Sequence, residues 1–225
     1  FPIPNGAARA AGFAEFATSF ANPARHDVGS VRIDHNFSAN STLRGLYNFA
    51  DSEASHRGGN GSSLNTTNRI RSRAQTITGA LTQTLSTELV LQLIGNYSRL
   101  RASGSYALDG FGGAATLPDT SSFTFDLNAR NAALIRGDEA ASVQRQFNFV
   151  GSVSLVSGNH SFRFGGDYRR LSPLIGQRTL EENVLFEGLD QALTGVAARA
   201  NTISRAATQN PVYTNLSLFA QDEWR

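Results

Sequence analysis

The sequence of 225 residues has no cysteine, no methionine and no lysine; all 20 of its basic residues are arginine, set against 18 acidic ones. Each absence removes a class of chemistry. Without lysine there is no P-loop lysine, no Schiff base and no kinase-type ion pair. Without cysteine there is no thiolate zinc site, iron–sulfur cluster, disulfide or cysteine nucleophile. With neither an initiator methionine nor a leader at Phe1, the chain reads as an internal fragment, and any targeting information would lie upstream. Charged residues make up only 17 % of the chain while apolar ones reach 40 %. That is too apolar for disorder and too poor in charge for an ordinary soluble surface. Arginines and acids are interspersed from Arg9 to Arg225 for a formal net charge of +2, so no basic face is set aside for nucleic acid. The longest apolar stretch, Leu89–Gly95, is broken by Gln92 and is too short for a membrane helix. Two classes remain, a soluble all-β protein and a membrane β-barrel.

What the chain does have is period-2 alternation, in seven segments near 29–37, 42–50, 70–85, 88–101, 142–156, 160–171 and 212–225. In the fourth, Leu89, Leu91, Leu93, Gly95 and Tyr97 alternate with Val90, Gln92, Ile94, Asn96 and Ser98. The seventh is the least regular, because Asp222 falls on its apolar side. All six prolines, Pro118 included, lie outside these segments, as a residue that cannot donate to a sheet ladder should. Residues 1–28 read as a loop-like extension on the extracellular side, and Glu187–Arg199 as a loop with room for a short helix.

The connections separate the two classes. Short ones at Ser38–Ser41, Ser86-Thr87 and Ser157–Asn159 alternate with long ones of about twenty, forty and forty residues. All tight turns therefore share one side and all long loops the other, the asymmetry of an outer-membrane barrel with short periplasmic turns and long extracellular loops. The expected architecture is an antiparallel up-and-down transmembrane β-barrel segment of about seven strands. Gly45-Leu46-Tyr47, Gly95-Asn96-Tyr97 and Gly166-Asp167-Tyr168 repeat one motif in one register. Tyr47, Phe49, Tyr97, Tyr168 and Trp224 would form aromatic girdles at the membrane interfaces. Arg44, Asn48, Gln92, Asn96, Arg163, Asp167 and Arg169 alternate with the apolar set, so they would line the lumen, solvating a channel or touching a plug. Tyr106, Phe111, Phe123, Phe125 and Phe186 sit in the long loops as exposed candidates for ligand contact, or for packing over the mouth.

Three stretches, SVRIDHNFSANSTLRGLYNFADSE at Ser30–Glu53, HSFRFGGDYRR at His160–Arg170 and NLSLFAQDEWR at Asn215–Arg225, resemble the barrel of TonB-dependent outer-membrane receptors, in particular the Oar-like branch. The likeness covers Ser30 to Arg225 in outline and is absent from the long loops. It implies a barrel of about 22 strands that imports a bulky nutrient. Its partners would be outer-membrane lipid, a plug domain, TonB and an unidentified nutrient; plug and TonB box are missing from these residues. The competing expectations are a passive porin or adhesin-type barrel and a soluble all-β binding or carbohydrate-active module.

Nothing else in the chain promises chemistry. His26, His35, His56 and His160 share no metal-ligand spacing. Gly58-Gly59-Asn60-Gly61 and Gly110-Phe111-Gly112-Gly113 lack the strand-to-helix setting of phosphate loops and read as flexible connections. Glu181-Glu182 and Asp138-Glu139 are neighbours on extended chain and point apart, unlike an acid/base pair. The sequon Asn65-Thr66-Thr67 is the kind that arises by chance in an Asn- and Thr-rich chain. No enzyme activity, metal or cofactor is expected.

Overall fold

A computed structural model describes residues 1–59, 61–116, 122–128, 132–139, 141–176, 181–204 and 207–224. Asn60, Pro118 and Arg225 lie outside the described residues. The strands are β1 Ala24–Ser38, β2 Ser41–Arg57, β3 Thr66–Thr84, β4 Leu89–Leu108, β5 Ser122–Asp126, β6 Ala133–Asp138, β7 Ser142–Ser157, β8 His160–Ile175, β9 Glu181–Leu185, β10 Arg199–Ile203 and β11 Tyr213–Trp224. One α-helix, α1 Leu189–Thr194, falls inside the loop where a short helix was expected.

Seven long strands pair antiparallel with their neighbours in the order β1-β2-β3-β4-β7-β8-β11. The described sheet has 11 strands rather than seven and is open, not closed into a barrel. The four extra strands are β5, β6, β9 and β10, of five or six residues each. They escaped the sequence pattern because five residues hold barely two turns of the alternation. Above Ala102–Ser142, β4 leaves β7 and takes β6 instead, through Ser105–Asp138 and Tyr106–Gly137. A small branch of the sheet, β6-β5-β9-β10, grows from there, and its β5–β9 pair is parallel.

The long strands also run further than the alternation does. β4 has 20 residues and β3 has 19, whereas a tilted strand crosses hydrocarbon in about 9–11. β1 begins at Ala24, so 24–28 belong to the sheet and not to the extension: Ala24 to Val28 pair with Ala54 to Ala50. The β2–β3 connection shrinks from about twenty residues to the eight of 58–65. In each case the pairing continues where the apolar stripe stops. Backbone hydrogen bonds extend a strand regardless of what its side chains face, so apolar periodicity marked only the middle of each strand.

A soluble sheet of this size would cover one face. Here the buried hydrophobic residues among those described are Ala114, Leu127, Ala132, Ala133 and Phe186, and all of them sit at the long-loop end. The large sheet has no core of its own. Close approach between its strands is set by glycine at one place in particular: a Cβ on Gly165 would lie 2.6 Å from the Gly151 carbonyl oxygen and 2.5 Å from the Phe219 ring. Phe219 thus lies over a position no other residue could occupy without displacing backbone.

Candidate functional site

Side chains of directly opposed residues share a face, so the register sorts every position. Val31, Tyr47, Ile77, Tyr97 and Phe147 form one row across five strands. The next row runs Ile33, Gly45, Gly79, Gly95, Phe149, Tyr168, Leu216, and the one after it His35, Leu43, Leu81, Leu93, Gly151, Gly166, Leu218. This apolar face is uncovered: Ile77 is 55 % exposed, Leu216 68 % and Leu218 79 %. An uncovered apolar face across seven strands calls for a non-aqueous surrounding.

The five girdle candidates all lie on this face, four of them in three adjacent rows towards the long loops and one at the short-turn end. Tyr47 and Tyr97 share a row, Phe49 stands one row nearer the long loops, and Tyr168 one row further from them. Trp224 stands opposite His160 at the short-turn end, its ring stacked 6.0 Å from the imidazole. His160 Nδ1 in turn lies 2.8 Å from the Asp222 carboxylate, which gives the acid on the apolar stripe a partner at the sheet's rim. From the Trp224 row to the Tyr168 row is about 27 Å along the strand, and less along a membrane normal once the strand tilts, against an apolar band of about 25 Å. The third Gly-x-Tyr motif is not in register with the other two. Gly45 and Gly95 meet through Gly79, but Gly166 pairs with Gly151, one row lower. Equal sequence spacing does not mean equal height, because tilted strands are staggered.

The opposite face carries all seven lumen candidates. Leu46, Thr78, Asn96, Asn148, Arg169 and Asn215 form one of its rows, and Arg44, Ala80, Ile94, Val150, Asp167 and Ser217 the next. Its polar groups pair across strands. Asn96 Nδ2 donates to Thr78 Oγ1 at 2.7 Å, Arg44 Nε to Asp34 at 3.0 Å, and Asn148 to Asp167. Asn48 and Gln92 lie in the rows above and below, and Arg163 opposite Ser154 and Gln221, also on this face. Such a lattice suits a wall facing water, where a polar group finds either a neighbour or solvent; Asn68, far up the same face, keeps a buried Oδ1 with no hydrogen bond among the described residues.

At the long-loop end the five aromatics are not exposed, and packing over the mouth, one of the two expectations for them, is what the structure shows. Phe186 is 5 % exposed and clusters with Leu127 and Ala132, and Phe125 packs on it with ring centroids 4.9 Å apart. Phe111 meets Phe16 at 6.2 Å and Phe20 at 6.0 Å, and the Arg57 guanidinium sits 4.1 Å over its ring. Phe123 and Tyr106 are half-buried. These rings hold the mouth together, because rings in loops remove apolar area from water by packing on one another. The glycine run at 110–113 serves the same packing. A Cβ on Gly112 would come 2.5 Å from Phe16, and Ile3 N–H donates to the Gly112 carbonyl at 2.8 Å. Arg57 ties the cap down, donating to both Asp109 oxygens at 2.8 and 2.6 Å and to the Leu64 carbonyl at 2.8 Å. This fork holds the Asp109 carboxyl below the usual carboxylate range. The Asn65 side chain is 1 % exposed beneath the cap, so its sequon is part of the packing. A cavity of about 50 Å³ bounded by Tyr106, Ser122, Asp138, Glu139 and Glu181 has space for little beyond water.

A family model described as "Outer membrane beta barrel domain" matches residues 1–225. The chain belongs to the outer-membrane β-barrel domain family. Its location is therefore the outer membrane, and the soluble β-module reading falls. Among solved structures it is similar to the crystal structure of the outer membrane transporter YddB from Escherichia coli, with a TM-score of 0.60 and 11 % identity. That match covers 89 % of this chain and 25 % of that one, so the chain spans about a quarter of the transporter it resembles. At such low identity the likeness concerns fold alone. Among the curated proteins the sequence has no match. In a closed outer-membrane barrel an apolar face meets hydrocarbon and a polar face lines the interior. Among the described residues no three His, Asp or Glu side chains gather as metal ligands do.

Proposed function

We propose that this chain is part of the wall of an energy-coupled outer-membrane importer, a TonB-dependent-receptor-like transporter for a bulky nutrient. The observation that carries the reading is its scale. Seven long strands with one apolar and one polar face correspond to only a quarter of a transporter of the same fold. Seven strands of about 22 make roughly a third of a barrel, and a lumen that wide is plugged in transporters of this size. The resemblance at Ser30–Glu53, His160–Arg170 and Asn215–Arg225 supports the same family of importers. In this reading Arg44, Asn48, Gln92, Asn96, Arg163, Asp167 and Arg169 face the lumen or its plug, and the packed loops close the outer mouth. The chain has no catalytic role.

The full-length protein reconstituted in a planar bilayer distinguishes this from a passive porin. A plugged importer holds no steady open conductance, and it captures the periplasmic domain of TonB in a pull-down. A steady open channel without TonB capture would replace the importer with a porin.

A further inference from the structure

The apolar face changes character just above its aromatic row. Two residues beyond Tyr97 and Phe147, which oppose each other, stand Arg99 and Arg145, also directly opposed. Two residues further, Arg101 stands opposite Arg73. Arg170, opposite Phe147, is the diagonal neighbour of Arg145. Like charges facing each other across a sheet are destabilising unless something neutral or anionic lies between them. Elsewhere on this face the arginines have acids: Arg73 pairs with Asp51, Arg69 and Arg71 with Glu53, and Arg25 with Asp27. Arg99, Arg101, Arg145 and Arg170 have no side-chain partner among the described residues, and the Nε of Arg99 is buried without an acceptor. The acid nearest along β4 on this face, Asp138, stands opposite Ser105, about 13 Å along the strand from Arg101. The patch lies on β4, β7 and β8, inside the sheet, so an open edge does not account for the missing counter-charge.

We infer that Arg99, Arg101, Arg145 and Arg170 bind the phosphate of an anionic lipid headgroup from the membrane's outer leaflet. The position fixes the source. The site faces outward immediately above the aromatic row, at the depth where acyl chains end and headgroups begin. Guanidinium groups on neighbouring strands give the forked donors that phosphate oxygens accept in pairs. The acyl chains of the same lipid would lie along the smooth strip left by Gly45, Gly79 and Gly95, where a Cβ on Gly79 or Gly95 would meet nothing within 4 Å.

The inference rests on the outward orientation of the apolar face, and its test separates the two. Full-length protein is placed in phosphatidylcholine nanodiscs containing bisphosphorylated lipid A, or the same glycolipid stripped of phosphate, and retained lipid is counted by native mass spectrometry after mild delipidation. Wild type should retain the phosphorylated form at least tenfold better than the stripped one, and 10 mM inorganic phosphate should not displace it. The triple variant Arg99→Gln/Arg101→Gln/Arg145→Gln should lose that preference, while Arg69→Gln/Arg71→Gln, removing paired arginines of the same belt, should keep it. Assembly of each variant is verified by heat-modifiable gel migration, with Leu93→Arg run alongside. Normal assembly of Leu93→Arg would overturn the orientation and the inference with it. If Leu93→Arg fails to assemble and the triple variant still holds phosphorylated lipid, the site alone is refuted. Displacement by inorganic phosphate would likewise refute a lipid site.

Discussion

One residue decides which side of a barrel wall receives a charge. Leu93 and Asn96 lie on the same strand and on opposite faces, Leu93 among Leu81 and Gly151 and Asn96 beside Thr78 and Asn148. Leu93→Arg puts a guanidinium near the middle of the apolar band, at a cost of about 2–4 kcal/mol. In the full-length protein it should impair assembly, read as loss of heat-modifiable migration and of outer-membrane fractionation. Asn96→Arg should assemble normally, because its side chain enters a polar wall. At the long-loop end the decisive group is Asp109. Arg57 lowers its folded pKa, so the stability this contact contributes is complete above the unfolded value of 3.8 and is lost as pH falls through the lower folded one. Limited proteolysis of the cap should therefore be unchanged between neutral pH and about pH 5 and should accelerate only below 3.8. Arg57→Ala should be cleaved faster at neutral pH and should lose most of that acid dependence. Both faces of β4 were legible from alternation alone. The Arg57–Asp109 contact was not, since its partners are 52 residues apart with no periodicity linking them.

At the scale of elements, the membrane part of each strand writes itself into the sequence and the part outside does not. Hydrocarbon demands an apolar residue at every second position, and that demand located seven strands by their middles. Beyond the interface Arg69, Arg71 and Arg73 continue β3 with charge on both flanks, and a charged strand looks like a loop to any pattern of hydrophobicity. The small branch of the sheet is harder still: β5 and β9 come from different loops and pair in parallel, with Thr124 beside Asn183 and Asn183 beside Asn201. A chain without cysteine makes this pairing easy to test. Thr124→Cys/Asn183→Cys should form a disulfide during oxidative assembly, seen as a mobility shift on non-reducing gels, because adjacent strands hold Cα atoms within bonding range. Thr124→Cys/Asn201→Cys should not, since those positions are two strands and about 9.6 Å apart. Cross-linking in both or in neither would mean that the two long loops are not joined through β5 and β9.

For the molecule as a whole, the arrangement of burial matters more than its amount. Packing is concentrated at one end, where the first 23 residues, the β4–β7 loop and the β8–β11 loop close on one another through Phe111, Phe125 and Phe186. Among the described residues the large sheet below contributes ladders of hydrogen bonds but no enclosed core, and it ends at β1 and β11, each paired on one side only. Strand edges left in lipid cost several kcal/mol for each unsatisfied group, and in water they recruit other chains. The apolar face adds a second route to association. Neither penalty can be relieved within these 225 residues: the edges need further strands, and the face needs lipid or detergent. The chain expressed alone should therefore aggregate in detergent-free buffer, and in detergent it should still fail to show heat-modifiable migration, because detergent covers the face and leaves the edges open. The full-length protein should do both, staying monodisperse in detergent and shifting on heating. A monodisperse, cooperatively unfolding monomer of the isolated chain without detergent would mean that the apolar face had found a partner within its own sequence. That outcome would remove the argument for which face meets the membrane, and with it the assignment of Arg99 and Arg145 to the headgroup layer.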